Sequence, residues 1–288
     1  MSLNVTGACT RQGKPDRVNE DFYGYAGNTA WVIDGATGMG EGNFIADPDD
    51  SDAAWLARNL GGFLAENALA YGADLTTLLK AARSSLSLHF NAAVRAMPTS
   101  DYDWPSAAVT LLHANDEGVY VASLGDTVAL LRDQDGQLYS WYGDATLRAM
   151  DARVQAEIRE RQLKNKDVPL KQHREAVAPH LRRNRTFANA PTGYGVFALR
   201  NDFTPHIKAD FRAGVTDGDG LLMSDGYHRL VENFKRYSDM QLLEAVRTSG
   251  LESVCDELRR LEEDDPEGHS APRTKKSDDA TALHLRIG

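Results

Sequence analysis

Short strand-like runs and longer helix-like runs follow one another in blocks along this chain instead of alternating one by one. Runs of alternating or continuous apolar residues predict strands at 21–26, 29–34, 109–114, 118–124, 127–133 and 137–142. Turn-forming residues at 116–118 and 135–136 predict that some of these strands pair as hairpins. Such blocks favour an α+β fold with stacked antiparallel sheets over a doubly wound parallel sheet.

Apolar residues at helical spacing predict helices that cover these sheets. The spacing is clear in residues 56–64 and again in residues 75–86, between the first and second groups of strands. It returns at 242–246 and 251–261, before a final predicted strand at 280–287. We therefore expect layered sheets flanked by helices.

The net charge and the cysteines narrow the classes of partner and compartment. The chain has 32 Lys plus Arg against 42 Asp plus Glu, a formal net charge of -10, so we expect no nucleic acid and no membrane as partner. Cys9 and Cys255 lie far apart, which signals neither a disulfide framework nor a zinc site and favours a reducing, cytoplasmic compartment. Neither a secretion signal nor an apolar run of about 18 residues is evident.

Acidic residues stand at the ends of several predicted strands, and two of these strands are apolar runs that predict burial, at 30–33 before Asp34 and at 220–223 before Asp225. The pairs are Glu20-Asp21, Asp34-Gly35, Asp225-Gly226 and Asp278-Asp279. Ends of neighbouring strands converge, so these carboxylates can share one pocket, where a hard cation with oxygen ligands would relieve their repulsion. Oxygen ligands suit Mg²⁺ or Mn²⁺ and argue against zinc or copper. The alternative for each pair is an ordinary solvated turn.

Five short motifs, in the same order along the chain, resemble those of the metal-dependent protein phosphatases of type 2C. They are Arg17 with Asn19-Glu20-Asp21, Val32-Ile33-Asp34-Gly35, Ser123-Leu124-Gly125-Asp126-Thr127, Leu222-Met223-Ser224-Asp225-Gly226 and Asp278-Asp279-Ala280-Thr281. The resemblance implies a four-layer α-β-β-α sandwich, in which a central antiparallel β-sandwich is flanked by helices. It also implies a bacterial-like serine/threonine phosphatase that uses Mn²⁺ or Mg²⁺ and a metal-bridged water, as one catalytic domain over residues 1–288.

The resemblance also implies roles for individual residues. Asp34 would bridge two metal ions, Asp225 and Asp278 would hold the first ion, and Glu20 with the Gly35 carbonyl would hold the second. Two further roles are implied: Asp21 would orient metal-bound waters, and Asp126 would help Asp225 to form a third, weaker metal site. For Asp126 the alternative is a hydrogen-bonded turn residue. Catalysis would rest on Asp34, Asp225 and a phosphate-binding Arg17.

Two positions depart from the pattern of the type 2C phosphatases. Arg17 lies three residues before Glu20, and Asp16 occupies the position where an arginine is expected, so Lys14 is a rival phosphate ligand. Ala36 stands where many members carry a histidine that protonates the leaving alkoxide, so another acid would have to serve. Residues 37–42 are expected to form a flexible loop without a nucleotide-binding pattern.

Residues 145–185 are more basic than the rest of the chain, with 11 Lys or Arg against 5 Asp or Glu. We expect a variable flap or insertion beside the site, at about 145–205. One hypothesis is that some of its arginines bind a phosphorylated or acidic partner, namely Arg174, Arg182, Arg183 and Arg185. The alternative is a solvated charged helix.

The expected partner is a phosphorylated protein, together with the kinase system that phosphorylates it. A catalytically weak or silent relative that binds phosphoproteins as a regulator is the main alternative, and the departures at Arg17 and Ala36 support it. Residues 217–220 resemble a calcium loop, but Leu221 occupies a required oxygen-ligand position. The sequence names neither the substrate nor the oligomeric state.

Overall fold

Two antiparallel sheets pack face to face in the computed structural model, which describes residues 1–40, 43–45 and 50–288. The strands are β1 Leu3–Arg11, β2 Asp21–Ala26, β3 Thr29–Ala36, β4 Ser106–Asn115, β5 Gly118–Leu124, β6 Val128–Asp133, β7 Leu138–Trp141, β8 Phe197–Ala198, β9 Lys208–Ala213, β10 Gly218–Met223 and β11 Ala280–Ile287. The first sheet has the order β1-β11-β10-β6-β7, and the second has the order β2-β3-β4-β5-β9 with β8 beside β4.

Helices cover both outer faces of the sheets. Their bounds are α1 Asp52–Tyr71, α2 Leu75–Ala93, α3 Ala145–Lys164, α4 Leu170–Arg185, α5 Asp225–Glu232, α6 Asp239–Ser249 and α7 Leu251–Asp264. Two short 3-10 turns lie at Asp101–Asp103 and Thr204–His206. The α+β four-layer sandwich expected from the sequence is therefore confirmed.

The apolar runs of the central strands are buried on both faces, which explains why they are continuous. In β3, Trp31 and Ile33 pack with α1 and α2, while Val32 points to the other sheet. In β10, Leu222 faces the layer between the sheets, whereas Met223 packs with α5, α6 and α7. Successive side chains of a strand point to opposite faces of the sheet. Because both faces are buried here, apolar residues are favoured at every position.

The predicted hairpins are confirmed, and the strand bounds agree to within a few residues. β4 pairs with β5 around 116–117, and β6 pairs with β7 around 134–137. Of the strands in the described residues, three were not predicted: β1 and β9 are edge strands with many polar, partly exposed residues, and β8 has only two residues. Edge strands have one open side, so they show less apolar alternation.

The basic segment 145–185 folds as the two helices α3 and α4, which pack on each other through a small apolar cluster of Val154, Ile158, Leu170 and Val177. Glu267, in the connection from α7 to β11, accepts hydrogen bonds from Gln162 (2.5 Å) and from the backbone N–H of Leu170 (2.5 Å). The hairpin of α3 and α4 is thereby attached to the layer of helices that covers the first sheet. No helix in the described residues is long and apolar enough to cross a membrane.

Candidate metal centre

Asp21 and Asp34 lie directly opposite each other on the antiparallel strands β2 and β3. The backbone N–H of Gly35 donates to the carbonyl of Glu20 at 3.0 Å. A Cβ at position 35 would lie 2.6 Å from the Glu20 carbonyl and 3.0 Å from the Ala53 carbonyl, so the close approach of three backbone segments requires glycine. The two acidic positions predicted from the sequence at this edge are therefore brought together.

Substitution of Gly35 by Ala should destabilise the protein because the added methyl group has no space. We expect a loss of about 1–3 kcal/mol in the free energy of unfolding, measured by urea denaturation in chelator. Gly62→Ala is the matched control: it lies on the exposed face of α1 with nothing within 4 Å, so it should stabilise by about 0.5–1 kcal/mol. Equal effects of the two changes would contradict the packing argument.

Asp225 and Asp278 meet at the other sheet, where β10 and β11 are paired. Asp225 is the first residue of α5, immediately after Ser224 at the end of β10. The backbone N–H of Ser224 donates to the carbonyl of Thr281 (2.9 Å), and the N–H of Thr281 donates to the Ser224 hydroxyl (3.0 Å). This pairing fixes the start of α5 against the segment that carries Asp278.

The carboxylates of the two sheets face each other. Burial raises the pKa of Asp34 well above its usual value, and Asp21, Asp225, Asp126 and Asp278 raise it further. The pKa of Asp126 is raised by burial and by Asp225. Asp225 also has a raised pKa, from burial and from the charge of Asp278. The structure therefore brings together the aspartates predicted from β2, β3, β5, β10 and β11.

A divalent cation fits this cluster. Asp21 is 7% exposed, and its Oδ2 atom has no hydrogen-bond partner among the described residues. Burial is the main cause of its raised pKa, and Asp279 and Asp278 add to it. An unpartnered buried oxygen among mutually repelling carboxylates is the situation that a hard cation with oxygen ligands relieves. Within residues 1–40, 43–45 and 50–288, no three acidic, histidine or cysteine side chains already close around one point as a finished ligand set.

Asp278 differs from the other aspartates because the protein supplies it with two cations. The guanidinium of Arg229 donates to Oδ2 at 2.6 Å, and the ammonium of Lys275 contacts Oδ1. Burial would raise the pKa of Asp278, but Lys275 and Arg229 outweigh burial and hold the pKa below its usual value. Neither cation was predicted from the sequence.

The carboxylate of Glu20 is oriented by two hydroxyl groups. Its Oε1 accepts hydrogen bonds from Thr37 (2.5 Å) and from Ser51 (2.7 Å), which also caps the N-terminus of α1. The backbone N–H of Glu20 donates to Asp279 at 2.7 Å, and the second oxygen of Asp279 accepts from the N–H of Gly13 at 2.7 Å. Asp279 therefore connects the loop before β2 to the last strand.

The two candidate phosphate ligands lie in that loop and are exposed. Arg17 and Lys14 are joined by a backbone hydrogen bond of 3.2 Å, from the N–H of Arg17 to the Lys14 carbonyl. Partial burial lowers the pKa of Lys14, and the charges of Arg17, Arg174 and Lys275 lower it further. A group of cations thus borders the acidic cluster, and the choice between Lys14 and Arg17 stays a prediction.

Arginines of α4 hold the loop that follows Asp34-Gly35. Arg185 donates to the carbonyls of Ala36 (2.9 Å) and Thr37 (2.5 Å) and to the Ser106 hydroxyl (2.5 Å). Arg182 donates to the Met39 carbonyl at 3.3 Å. Since Arg185 has these internal partners, it is a poor candidate for binding a phosphorylated partner. The expected flexible loop, 37–42, extends to residues 41 and 42, which lie outside the described residues.

Asp151, on α3, is a further acid at the site that the sequence did not single out. Burial and the charge of Asp225 raise the pKa of Asp151 to about 7, although Arg185 opposes the shift. The only signal in the sequence was its place in the basic segment 145–185. The position shows that α3 contributes to the electrostatics of the cluster.

The raised pKa of Asp151 predicts that the stability of the protein depends on pH. The folded protein binds the proton of the Asp151 carboxyl group more tightly than the unfolded chain does. The stabilisation that comes from this proton is therefore present below about pH 4 and is lost as the pH rises through 7. We expect Asp151→Asn to stabilise the metal-free protein by about 2 kcal/mol more at pH 8 than at pH 5, since partial exposure reduces the full effect. Urea unfolding measures it. Asp167→Asn, in the exposed connection of α3 and α4, should show no such dependence, and a matching response would contradict the assignment.

Comparison with protein-family models finds no match, and neither does comparison with curated proteins. Solved structures do match. The Mycobacterium tuberculosis serine/threonine phosphatase PstP/Ppp has 15% identity and a TM-score of 0.56, covering 100% of this chain and 99% of that chain. A crystal structure of the PstP catalytic domain, with the same score and identity, is in complex with two manganese ions.

Two further matches come from other bacteria. The serine/threonine phosphatase Stp1 from Staphylococcus aureus has 16% identity and a TM-score of 0.54, covering 99% of this chain and 96% of that chain. PppA of Pseudomonas aeruginosa, described as a regulatory component of T6SS, has 16% identity and a TM-score of 0.54, covering 100% and 99%. Likeness at this identity shows a common fold. The chain therefore has the fold of bacterial serine/threonine phosphatases, as the type 2C resemblance implied.

Proposed function

We propose that the protein is a metal-dependent phosphoprotein phosphatase that hydrolyses serine and threonine phosphate monoesters. The observation that carries the proposal is the cluster of Asp21, Asp126 and Asp225 around Asp34, in which the buried Oδ2 atom of Asp21 has no partner among the described residues. Its place at the converging ends of strands, in a fold shared with serine/threonine phosphatases, supports the same function.

Two Mn²⁺ or Mg²⁺ ions are the proposed cofactors, with a third, weaker site at Asp126 and Asp225. In this proposal Asp34 would contact both ions, Asp225 and Asp278 would hold the first, and Glu20 with the Gly35 carbonyl would hold the second. When bound, such ions lower the pKa of water and offset the charge of a phosphate ester. The two-manganese structure of the PstP catalytic domain, which has the same fold, supports this choice of metal.

The residues around the ligands serve to position them and the substrate. Thr37 and Ser51 donate to Glu20 and leave its second oxygen available for a ligand role. Lys14 and Arg17 are the proposed phosphate ligands, because guanidinium and ammonium groups donate hydrogen bonds to phosphate oxygens. The hairpin of α3 and α4 is the proposed flap, since Arg185 and Arg182 hold the loop that follows Asp34-Gly35.

The proposed partner is a phosphorylated protein supplied by a protein kinase, in a signalling role. A cytoplasmic location belongs to the proposal and is supported by Cys9 and Cys255, which are both free and buried. Reduced thiols are the usual state in a reducing compartment.

Hydrolysis of an aryl phosphate, such as p-nitrophenyl phosphate, tests the proposal. We expect turnover with Mn²⁺ or Mg²⁺, none after addition of excess EDTA, and recovery when the metal is restored. Turnover of phosphoserine and phosphothreonine peptides then tests the substrate class. Hydrolysis that persists in EDTA would contradict a metal-dependent mechanism.

A second candidate function is a weak or silent module that binds phosphoproteins as a regulator. The pairing of both Asp278 oxygens with Arg229 and Lys275 favours it, because those oxygens are also proposed metal ligands. Ala36 adds to it, since no histidine follows Asp34-Gly35. Phosphopeptide binding without turnover under any metal would establish this second function in place of the first.

A further inference from the structure

The two cations that contact Asp278 are held very differently. Arg229, which donates to Oδ2, is 5% exposed and also contacts the carboxylate of Glu262 at 3.5 Å. Glu262 is fully buried and accepts a second hydrogen bond from Arg259 at 2.7 Å. Arg259 in turn donates to the backbone carbonyl of Asp278 at 2.8 Å. Two arginines organised by one buried glutamate therefore fix both the backbone and the side chain of Asp278.

Arg229 cannot leave this position without exposing several charges to an apolar surrounding. Its departure would take one partner from Glu262 and one from Asp278, and an unpaired buried charge is strongly unfavourable. Oδ2 of Asp278 is accordingly held by a permanent protein cation. Oδ1 accepts a hydrogen bond from the backbone N–H of Asp279 at 3.1 Å, and it is the oxygen of Asp278 that Arg229 does not contact.

Lys275 contacts Oδ1 as well, and its side chain is partly open to solvent. Its side chain is 36% exposed, and it lies three residues before Asp278 in the connection to β11. A lysine ammonium on its flexible four-carbon stem can turn into water, where it is strongly hydrated. The contact with Oδ1 is therefore reversible.

We propose that Lys275 is a built-in counter-ion of Asp278 which a divalent cation has to displace from Oδ1, so that this lysine sets the metal affinity of the site. The inference rests on the proposed function in one respect, namely that Asp278 is a metal ligand. Lys275 is a positioning residue here, because it acts through Asp278. While the ammonium contacts Oδ1, it also places a positive charge beside Asp225.

Removal of the ammonium tests the inference. We expect Lys275→Met to bind Mn²⁺ about tenfold more tightly than the wild type, as measured on the full chain by the loss of the free Mn²⁺ signal in electron paramagnetic resonance. Lys275→Arg keeps a cation at the position and should bind Mn²⁺ within about twofold of the wild type. Lys276→Met, at the neighbouring exposed lysine, is the matched control and should also be unchanged.

Equal Mn²⁺ affinity of Lys275→Met and Lys276→Met, with folding verified by circular dichroism, would overturn the inference, and so would weaker binding in Lys275→Met. Phosphate ester hydrolysis separates this result from the proposed function. If all the proteins hydrolyse the ester but bind Mn²⁺ equally, the inference alone fails. If Mn²⁺ binding follows the prediction but no protein hydrolyses the ester, the proposed function alone fails. Absence of Mn²⁺ binding in every protein overturns both.

Discussion

Replacement of Asp34 by Asn is expected to lower the Mn²⁺-dependent hydrolysis of an aryl phosphate by at least about a hundredfold. Asp34 lies opposite Asp21 on the neighbouring strand, the charges of Asp225 and Asp278 act on it from the other sheet, and Asp126 acts on it from the connection between β5 and β6. An amide at position 34 offers one neutral oxygen where the carboxylate offers two charged ones, so binding of a shared cation should be lost.

The same change should stabilise the protein when metal is removed. Burial and four neighbouring carboxylates raise the pKa of Asp34, which means that its ionised form is disfavoured in the folded state. Stability from such a group is present below its unfolded pKa and is lost as the pH rises through the folded pKa. In EDTA near neutral pH, Asp34→Asn should therefore unfold at a higher urea concentration than the wild type.

Measurement of activity and stability together distinguishes a lost ligand from a damaged fold. Asp217→Asn is the matched control, because Asp217 is an exposed acid in the turn before β10 and lies outside the cluster. It should retain wild-type hydrolysis and stability. Full activity of Asp34→Asn would remove Asp34 from the proposed mechanism. Loss of activity with loss of stability in EDTA would show that the carboxylate has a structural role instead.

The parts of the fold that were predicted from the sequence are those where burial dictates the residue type. The central strands β3, β4 and β10 are covered on both faces, so their apolar runs and the acids at their ends were readable. The edge strands β1 and β9 escaped prediction because one side of each strand is open and polar residues are tolerated there.

The candidate site shows the same division between what the sequence could and could not predict. The aspartates were found because they follow buried strands, but the groups that support them were not. Thr37, Ser51 and Arg185 act through contacts between residues distant in sequence, which no local pattern reveals. Arg229 had one usable signal: it lies four residues after Asp225, one helical turn along α5.

Glu262→Gln is expected to destabilise the protein by about 3–5 kcal/mol, measured by urea unfolding in EDTA. Glu262 is fully buried and contacts both Arg229 and Arg259. With an uncharged amide at position 262, Asp278 would be the one carboxylate of this group left to pair with the two guanidinium groups, and it contacts Arg229. The protein loses stability because a buried guanidinium charge has lost its partner, and water cannot reach position 262 to solvate that charge.

Glu263→Gln provides a matched control one residue further along α7, on its exposed side, and should change stability by less than about 0.5 kcal/mol. A similar small change for Glu262→Gln would show that the two arginines are solvated in solution and that Arg229 is not permanently held at Asp278. The expected large loss would instead show that α7, through Glu262 and two arginines, holds Asp278 in position. Asp278 can then exchange one counter-ion for another at Oδ1 while its backbone and Oδ2 stay fixed, because the contacts that fix them lie on the buried side.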